Sequence, residues 1–255
     1  MTEAATGPLP VLTYHAIDAG RGPTSTDPSR FAETLDALLG AGFRAVDLGE
    51  WVEAGRPPVC RGFAIAFDDG LRSILGVADR LARLAVPATV FLPSARIGAH
   101  NDWPGQPRWV PRARILGRSD LESLTRLGFR FGSHGRTHRR LDRLSPLTLH
   151  NELAGSRDEI EQAVGSRCPL VAYPYGAAGP RVREAASKVY AAGFGTRLAY
   201  ARSVDDPFDV ARIDAFYLRA RGAIGCLVSG RWRGRLAFRR ALRAVRGTVE
   251  MVGSG

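Results

Sequence analysis

Short apolar runs alternate with segments of helical periodicity along most of the chain. "PVLTYH" (10–15), "FRAVDL" (43–48), "GFAIAF" (62–67), "PATVFLP" (87–93), "FRFGS" (129–133), "CPLVAYPYG" (168–176) and "FGTRLAY" (194–200) are brief apolar segments, most of them bounded by turn residues or by the ends of helices. They read as strands, the most apolar of them buried. Between them, Phe31, Leu35, Leu38 and Leu39 fall on one face of a helix over 28–42, stopped by Gly40 and Gly42. A second helix runs from about Leu71 to Leu84. A third, "SDLESLTRLG" (119–128), opens with Ser119 and has Glu122 three residues on, the pattern of a capping box. "SPLTLHNELAGSRDEIEQAVG" (145–165) starts with Ser and then Pro at its first turn, and 180–193 forms a further helix.

Strand, helix and strand in repetition imply right-handed βαβ units and a mostly parallel sheet. About seven such strands in 255 residues fit one closed or nearly closed α/β barrel better than two domains. The stretch 94–118 is too long and too rich in Pro and Gly to be a plain connector. Long ordered loops in compact domains are often functional, which places it over the active-site face.

Composition adds little to the fold and narrows the setting. Cys60, Cys168 and Cys226 are scattered, odd in number and lack a CxxC pair, which argues against a disulfide framework or a thiolate zinc site. The first residues lack the basic and apolar regions of a signal peptide, and no apolar run approaches the length of a membrane span, so a cytoplasmic protein is expected. The net charge of +11 comes nearly all from arginine. It fits either an anionic partner or a plain arginine bias spread over solvated faces.

Three polar clusters each follow a strand. "AFDDG" sets Asp68 and Asp69 at the end of 62–67, where adjacent carboxylates are costly unless they bind something. "GSHGRTHRRL" (132–141) sets His134 and His138 four residues apart, able to chelate one divalent ion or to stand as solvated loop residues. "YPYG", Tyr173 to Gly176, reads alone as a Pro/Gly turn. Taken together on the rim of a barrel, the clusters acquire a common purpose, because ligands bind where strand carboxyl ends converge. One Asp with two His makes a three-ligand site with open positions, and a neighbouring free Asp suits a general base. That constellation describes metal-assisted hydrolysis.

"TYH" (13–15), "FDDG" (67–70), "SHGRTH" (133–138) and "YPYG" (173–176) resemble, in order and approximate spacing, the polysaccharide deacetylases, the NodB-homology enzymes of carbohydrate esterase family 4. The resemblance spans roughly residues 9 to 217. It implies an α/β fold, a distorted (β/α)7 barrel, in a catalytic domain over 1–218; the remainder, 219–255, reads from its own pattern as a basic helical extension. It also implies a divalent metal, zinc above all, with cobalt, nickel or manganese as alternatives, and removal of N-acetyl or O-acetyl groups from a sugar or oligosaccharide; a C-terminal helix lying on a membrane, together with the lack of a signal peptide, would make the substrate a lipid-linked glycan. By the same resemblance Asp69, His134 and His138 hold the metal, Asp68 is the base, and the Tyr175 backbone N–H faces the oxyanion.

The chain departs from that family pattern at three places. The usual late histidine acid is missing, since no histidine follows His150. His15, at the end of the first strand, is the replacement candidate, with a packed core histidine as the competing reading. Ala172 stands where an arginine normally tethers the base, and Arg212 in "VARIDAF" is the candidate to bring that charge from another strand. Gly135 replaces the usual serine or threonine after the first metal histidine.

Asn101, Trp103 and Trp109 on the long loop, with Tyr173, are candidate substrate contacts, because aromatic faces stack on sugar rings; loop anchoring is the competing role. In 230–253, Phe238, Leu242, Val245 and Val249 form a narrow apolar stripe flanked by arginines. Such a helix either packs on the barrel or lies on an anionic membrane surface through 230–250, at the inner face of the membrane. No nucleic-acid recognition motif is present, and none is expected to bind. A family member that binds carbohydrate or a partner without turnover remains the alternative.

Overall fold

The apolar runs do become strands, and their register closes a ring. The computed structural model describes residues 7–20, 22–107, 110–232 and 234. In chain order the elements are β1 (Val11–Tyr14), β2 (Ala16–Ile17), β3 (Ser25–Thr26), α1 (Pro28–Gly40), β4 (Arg44–Ala45), α2 (Leu48–Glu53), β5 (Gly62–Phe67), α3 (Leu75–Arg83), β6 (Ala88–Leu92), α4 (Arg118–Arg126), β7 (Arg130–Ser133), α5 (Pro146–Val164), β8 (Leu170–Ala172), α6 (Pro180–Ser187), β9 (Ala192–Leu198), β10 (Val210–Asp214) and α7 (Ala223–Val228). Strands β5 to β10 pair in sequence, all parallel, and β1 joins β10 to β5. The result is a closed barrel of seven staves with helices around it, the (β/α)7 architecture expected.

The seven staves are not quite the seven runs named above. Residues 43–48 do not form a buried strand. Only Arg44 and Ala45 pair, against the beginning of β5 and outside the ring. The reason is Asp47, whose carboxylate accepts the backbone N–H groups of Gly49 and Glu50 and so starts α2 where the strand would have continued. The missing stave is β10, which enters between β9 and β1 with no intervening helix. The expected capping box at Ser119 and Glu122 is also displaced. The helix begins at Arg118, and the Asp120 carboxylate reaches back to the Gly117 N–H at 3.0 Å. Helix α6 ends at Ser187, and β9 starts at Ala192, earlier than the sequence pattern suggests.

Apolar side chains from the staves and the inner helix faces form the core, with Phe63, Phe67, Phe91 and Phe194 fully buried. Ala223, Leu227 and Trp232 also enter it, so the chain just past residue 219 packs against the same body as the barrel. No helix among the described residues is long and apolar enough to cross a membrane. The basic stripe of 235–250 lies outside the described residues.

Candidate active site

The carboxyl ends of the staves open into a cavity of about 420 Å³, and the polar clusters meet there. Its wall includes Asp68, Asp69, His134, His138, Tyr175 and Arg212, with His15 on the side of β1. Six consecutive buried residues bring β5 to this rim, and the Asp68 N–H continues the ladder by donating to the Tyr14 carbonyl at 2.9 Å. Asp69 then turns at φ +65°, and Gly70 follows at φ +60°, where a Cβ would stand 2.5 Å from the Leu92 side chain. A glycine is therefore required after the acidic pair.

Asp68 and Arg212 form a buried bidentate pair. Arg212 Nη1 donates to Asp68 Oδ1 at 2.7 Å and Nη2 to Oδ2 at 2.9 Å, while Nε donates to the Gly195 carbonyl at 2.9 Å. Both residues are 4% exposed. Burial pushes the Asp68 carboxyl up, but the Arg212 charge, joined by His134 and His15, outweighs it and holds the group below the ordinary carboxylate value. The guanidinium thus comes from β10 and reaches a carboxylate far away in sequence.

Asp69, His134 and His138 form the second group. The ligand atoms of the three lie within 4.8 Å of one another. His134 Nε2 is 3.4 Å from Asp69 Oδ1, and His138 Nε2 is 3.1 Å from the same oxygen. His134 Nδ1 hydrogen-bonds the Ala172 carbonyl at 2.7 Å. If Nδ1 carries that proton, the neutral ring presents a lone pair on Nε2 toward a carboxylate oxygen. A lone pair on His134 Nε2 facing a carboxylate oxygen is repelled unless a proton or a cation sits between them, and with His138 Nε2 at the same oxygen the donor set fits a divalent metal. The three groups influence one another's titration, each carboxylate and imidazole favouring the other's charged form against burial. Asp69 is raised by burial but held well below the usual range by both imidazoles; His134 is lowered by burial yet raised overall by the two aspartates. His138 is lowered, chiefly by burial.

The backbone at this site is strained in a way sequence motifs do not show. Asp69, His138 and Tyr175 all occupy the left-handed region, at φ +65°, +58° and +59°. Each such non-glycine residue costs about 1 kcal/mol or more, and such conformations cluster at functional sites. The loop joining the histidines is held from one face of α5. The Glu152 carboxylate accepts the N–H groups of Arg136 and Thr137 and the Thr137 hydroxyl, Ser156 donates to the Gly135 carbonyl, and Glu159 takes the Arg136 guanidinium. Gly135 lies at φ +70°, and a Cβ there would come 3.1 Å from Glu152 Oε2. Glu152 was not among the residues named from the sequence. Its signal is a polar row at 152, 156 and 159 on a helix face that should otherwise be apolar.

The remaining candidates separate. Asn101 does not face the cavity: it staples the long loop, donating to the Pro111 carbonyl and accepting the Ala113 N–H. Tyr173 lines the cavity, but its hydroxyl donates away to the Phe208 carbonyl at 3.1 Å. Trp103 lines the cavity and is 3% exposed, with its ring stacked on His138. Trp109 lies outside the described residues. The sequence did not single out Thr13, Asp214, Phe216 and Tyr217, which also line the wall; Phe216 and Tyr175, both partly exposed, present aromatic surface at its mouth.

A seven-stave barrel whose rim gathers a paired Asp–Arg and a convergent Asp–His–His set is the NodB-homology architecture. Residues 55–192 match the sequence model described as Polysaccharide deacetylase, and the chain belongs to that family. The solved structures agree in fold. IcaB from Ammonifex degensii superposes with a TM-score of 0.71 at 21% identity, covering 88% of this chain and 96% of that one. The Streptococcus pyogenes deacetylase PplD, in complex with acetate, gives 0.71 at 19% identity over 82% and 93% of the two chains. BC0361, a polysaccharide deacetylase from Bacillus cereus, gives 0.68 at 21% identity over 82% of this chain. This chain spans 65% of the length of that Bacillus protein. No curated protein matches the sequence.

Proposed function

We propose that the protein is a metal-dependent hydrolase that removes acetyl groups from an N-acetylated sugar or glycan. The observation that carries this reading is the convergence of Asp69 Oδ1, His134 Nε2 and His138 Nε2 beside the ionised Asp68–Arg212 pair, at the wall of one cavity. A divalent cation, zinc by the chemistry of this donor set, would polarise the acyl carbonyl and make an attacking water more acidic. Asp68, kept ionised by Arg212, accepts the proton of that water. The Tyr175 N–H, carried to the rim by the turn after β8, donates to the oxygen that gains charge. His15, on the same cavity wall as Asp68, protonates the departing amine. Tyr175 and Phe216 offer ring faces for the sugar.

The test is acetate release from N-acetylated sugars, oligosaccharides and lipid-linked glycans, after metal is removed with a chelator and then restored. Activity is expected to vanish and return with zinc or cobalt, and Asp68→Asn is expected to be inactive in the loaded state. Chelator-resistant turnover or an active Asp68→Asn protein would sink the assignment. His15→Asn is expected to lower kcat by about 10²–10⁴-fold, the usual contribution of a general acid, with zinc affinity unchanged. Full kcat in that variant would remove His15 from the proton path.

A further inference from the structure

The two histidines of the cluster are held by different means. His134 has the usual arrangement for a metal-binding imidazole, its second nitrogen tied to a backbone carbonyl. His138 does not: its Nδ1 is buried and has no hydrogen-bond partner. Its backbone at φ +58° fixes where the side chain leaves the loop, but not how the ring is turned. What meets the ring is aromatic. The Trp103 indole stacks on it, centroids 3.8 Å apart and planes inclined by 28°. Tyr175 approaches edge-on with centroids at 4.9 Å.

We propose that Trp103 is a positioning residue that aims His138 Nε2 at the Asp69 oxygen by stacking, in place of the missing hydrogen bond. The proposal rests on reading Asp69, His134 and His138 as a metal centre. Several observations converge on it. The indole is almost fully buried, so its stacked face is committed to His138 and is not open to a sugar. The loop that carries it is locked beside it: Asn101, two residues earlier, binds backbone on the returning strand of the loop at Pro111 and Ala113. Flat stacking restricts rotation of the imidazole out of its plane while leaving Nε2 free toward Asp69, 3.1 Å away. The same loop contributes Gln106, Pro107 and Val110 to the cavity wall. Metal affinity and the shape of the substrate wall are thereby set by one segment.

The experiment measures zinc affinity of the full chain by competition with a chromophoric chelator, together with the visible spectrum of the cobalt-loaded form. Wild type is compared with Trp103→Ala, Trp103→Leu and Trp103→Phe, and thermal unfolding of each metal-free protein identifies any variant that does not fold. Trp103→Ala is expected to bind zinc about 10–100-fold more weakly, the loss typical when the support of a metal-bound histidine is removed. Its cobalt spectrum should shift, reporting altered coordination. Trp103→Phe keeps a flat ring and should bind more tightly than Trp103→Leu, which fills space without one. That comparison decides the matter if Trp103→Ala fails to fold. Wild-type affinity in Trp103→Ala, or equal affinity in the Phe and Leu variants, overturns the proposal while leaving the metal centre intact. A wild-type chain that binds neither zinc nor cobalt refutes the metal-centre reading and this proposal with it.

Discussion

Replacing Arg212 with methionine is expected to lower the unfolding free energy at neutral pH by about 3–5 kcal/mol, the cost of leaving a buried charge without its partner. The partner left behind is Asp68, 4% exposed and bound by both oxygens to the guanidinium. In the wild type the folded carboxyl titrates below its unfolded value, so this pair contributes stability above the unfolded pKa and loses it as pH falls through the folded one. In Arg212→Met burial would dominate and the folded pKa would rise. The deficit relative to wild type should therefore shrink as acid protonates Asp68. Urea midpoints at pH 7 and pH 5 check this, and a deficit that grows on acidification would contradict it. The acid limb of the activity profile should also move to higher pH, because the base is then protonated earlier. A small, pH-independent loss of stability would mean that Arg212 serves packing alone.

His134→Ala is expected to abolish acetate release and to weaken zinc binding by more than about 100-fold, since removing a ligand exceeds the loss from disturbing its outer support. Stability supplies an independent reading. Zinc at about 100 times the wild-type Kd should stabilise the wild type by about 2.7 kcal/mol and the variant by less than about 0.4 kcal/mol. Because a bound metal displaces protons, wild-type affinity should fall as pH drops through the titration of His134, which lies above the ordinary histidine value. Equal zinc-induced stabilisation of both proteins would exclude His134 as a ligand.

Much of this protein is legible along the chain. Each apolar run that ends in Asp-Asp, His or Tyr-Pro-Tyr is a stave, and each polar cluster stands at its carboxyl end, because a strand buried on both faces has only its ends for chemistry. The clusters also carry the family resemblance, and the sequence match over 55–192 agrees with it. Local competition is less legible. "FRAVDL" has the composition of a strand, but Asp47 captures two N–H groups and turns the chain into a helix. "VARID" carries an arginine in its centre, an unpromising stave, yet it closes the barrel because that arginine is neutralised by Asp68.

The same holds for the long loop. Its aromatics and Asn101 are suited to sugar contact by residue type, but residue type cannot say which way a side chain faces. The fold turns Asn101 onto backbone and Trp103 onto His138. Sequence by itself determined six of the seven staves, the rim on which chemistry collects and the donor types gathered there, since these follow from periodicity, strand ends and ligand chemistry. Only the tertiary structure decided that β10 is a stave, that Arg212 reaches Asp68 across 144 positions, that Glu152 holds the histidine loop and that Trp103 stacks on His138. Those pairings depend on barrel closure, which brings together groups with no spacing rule between them.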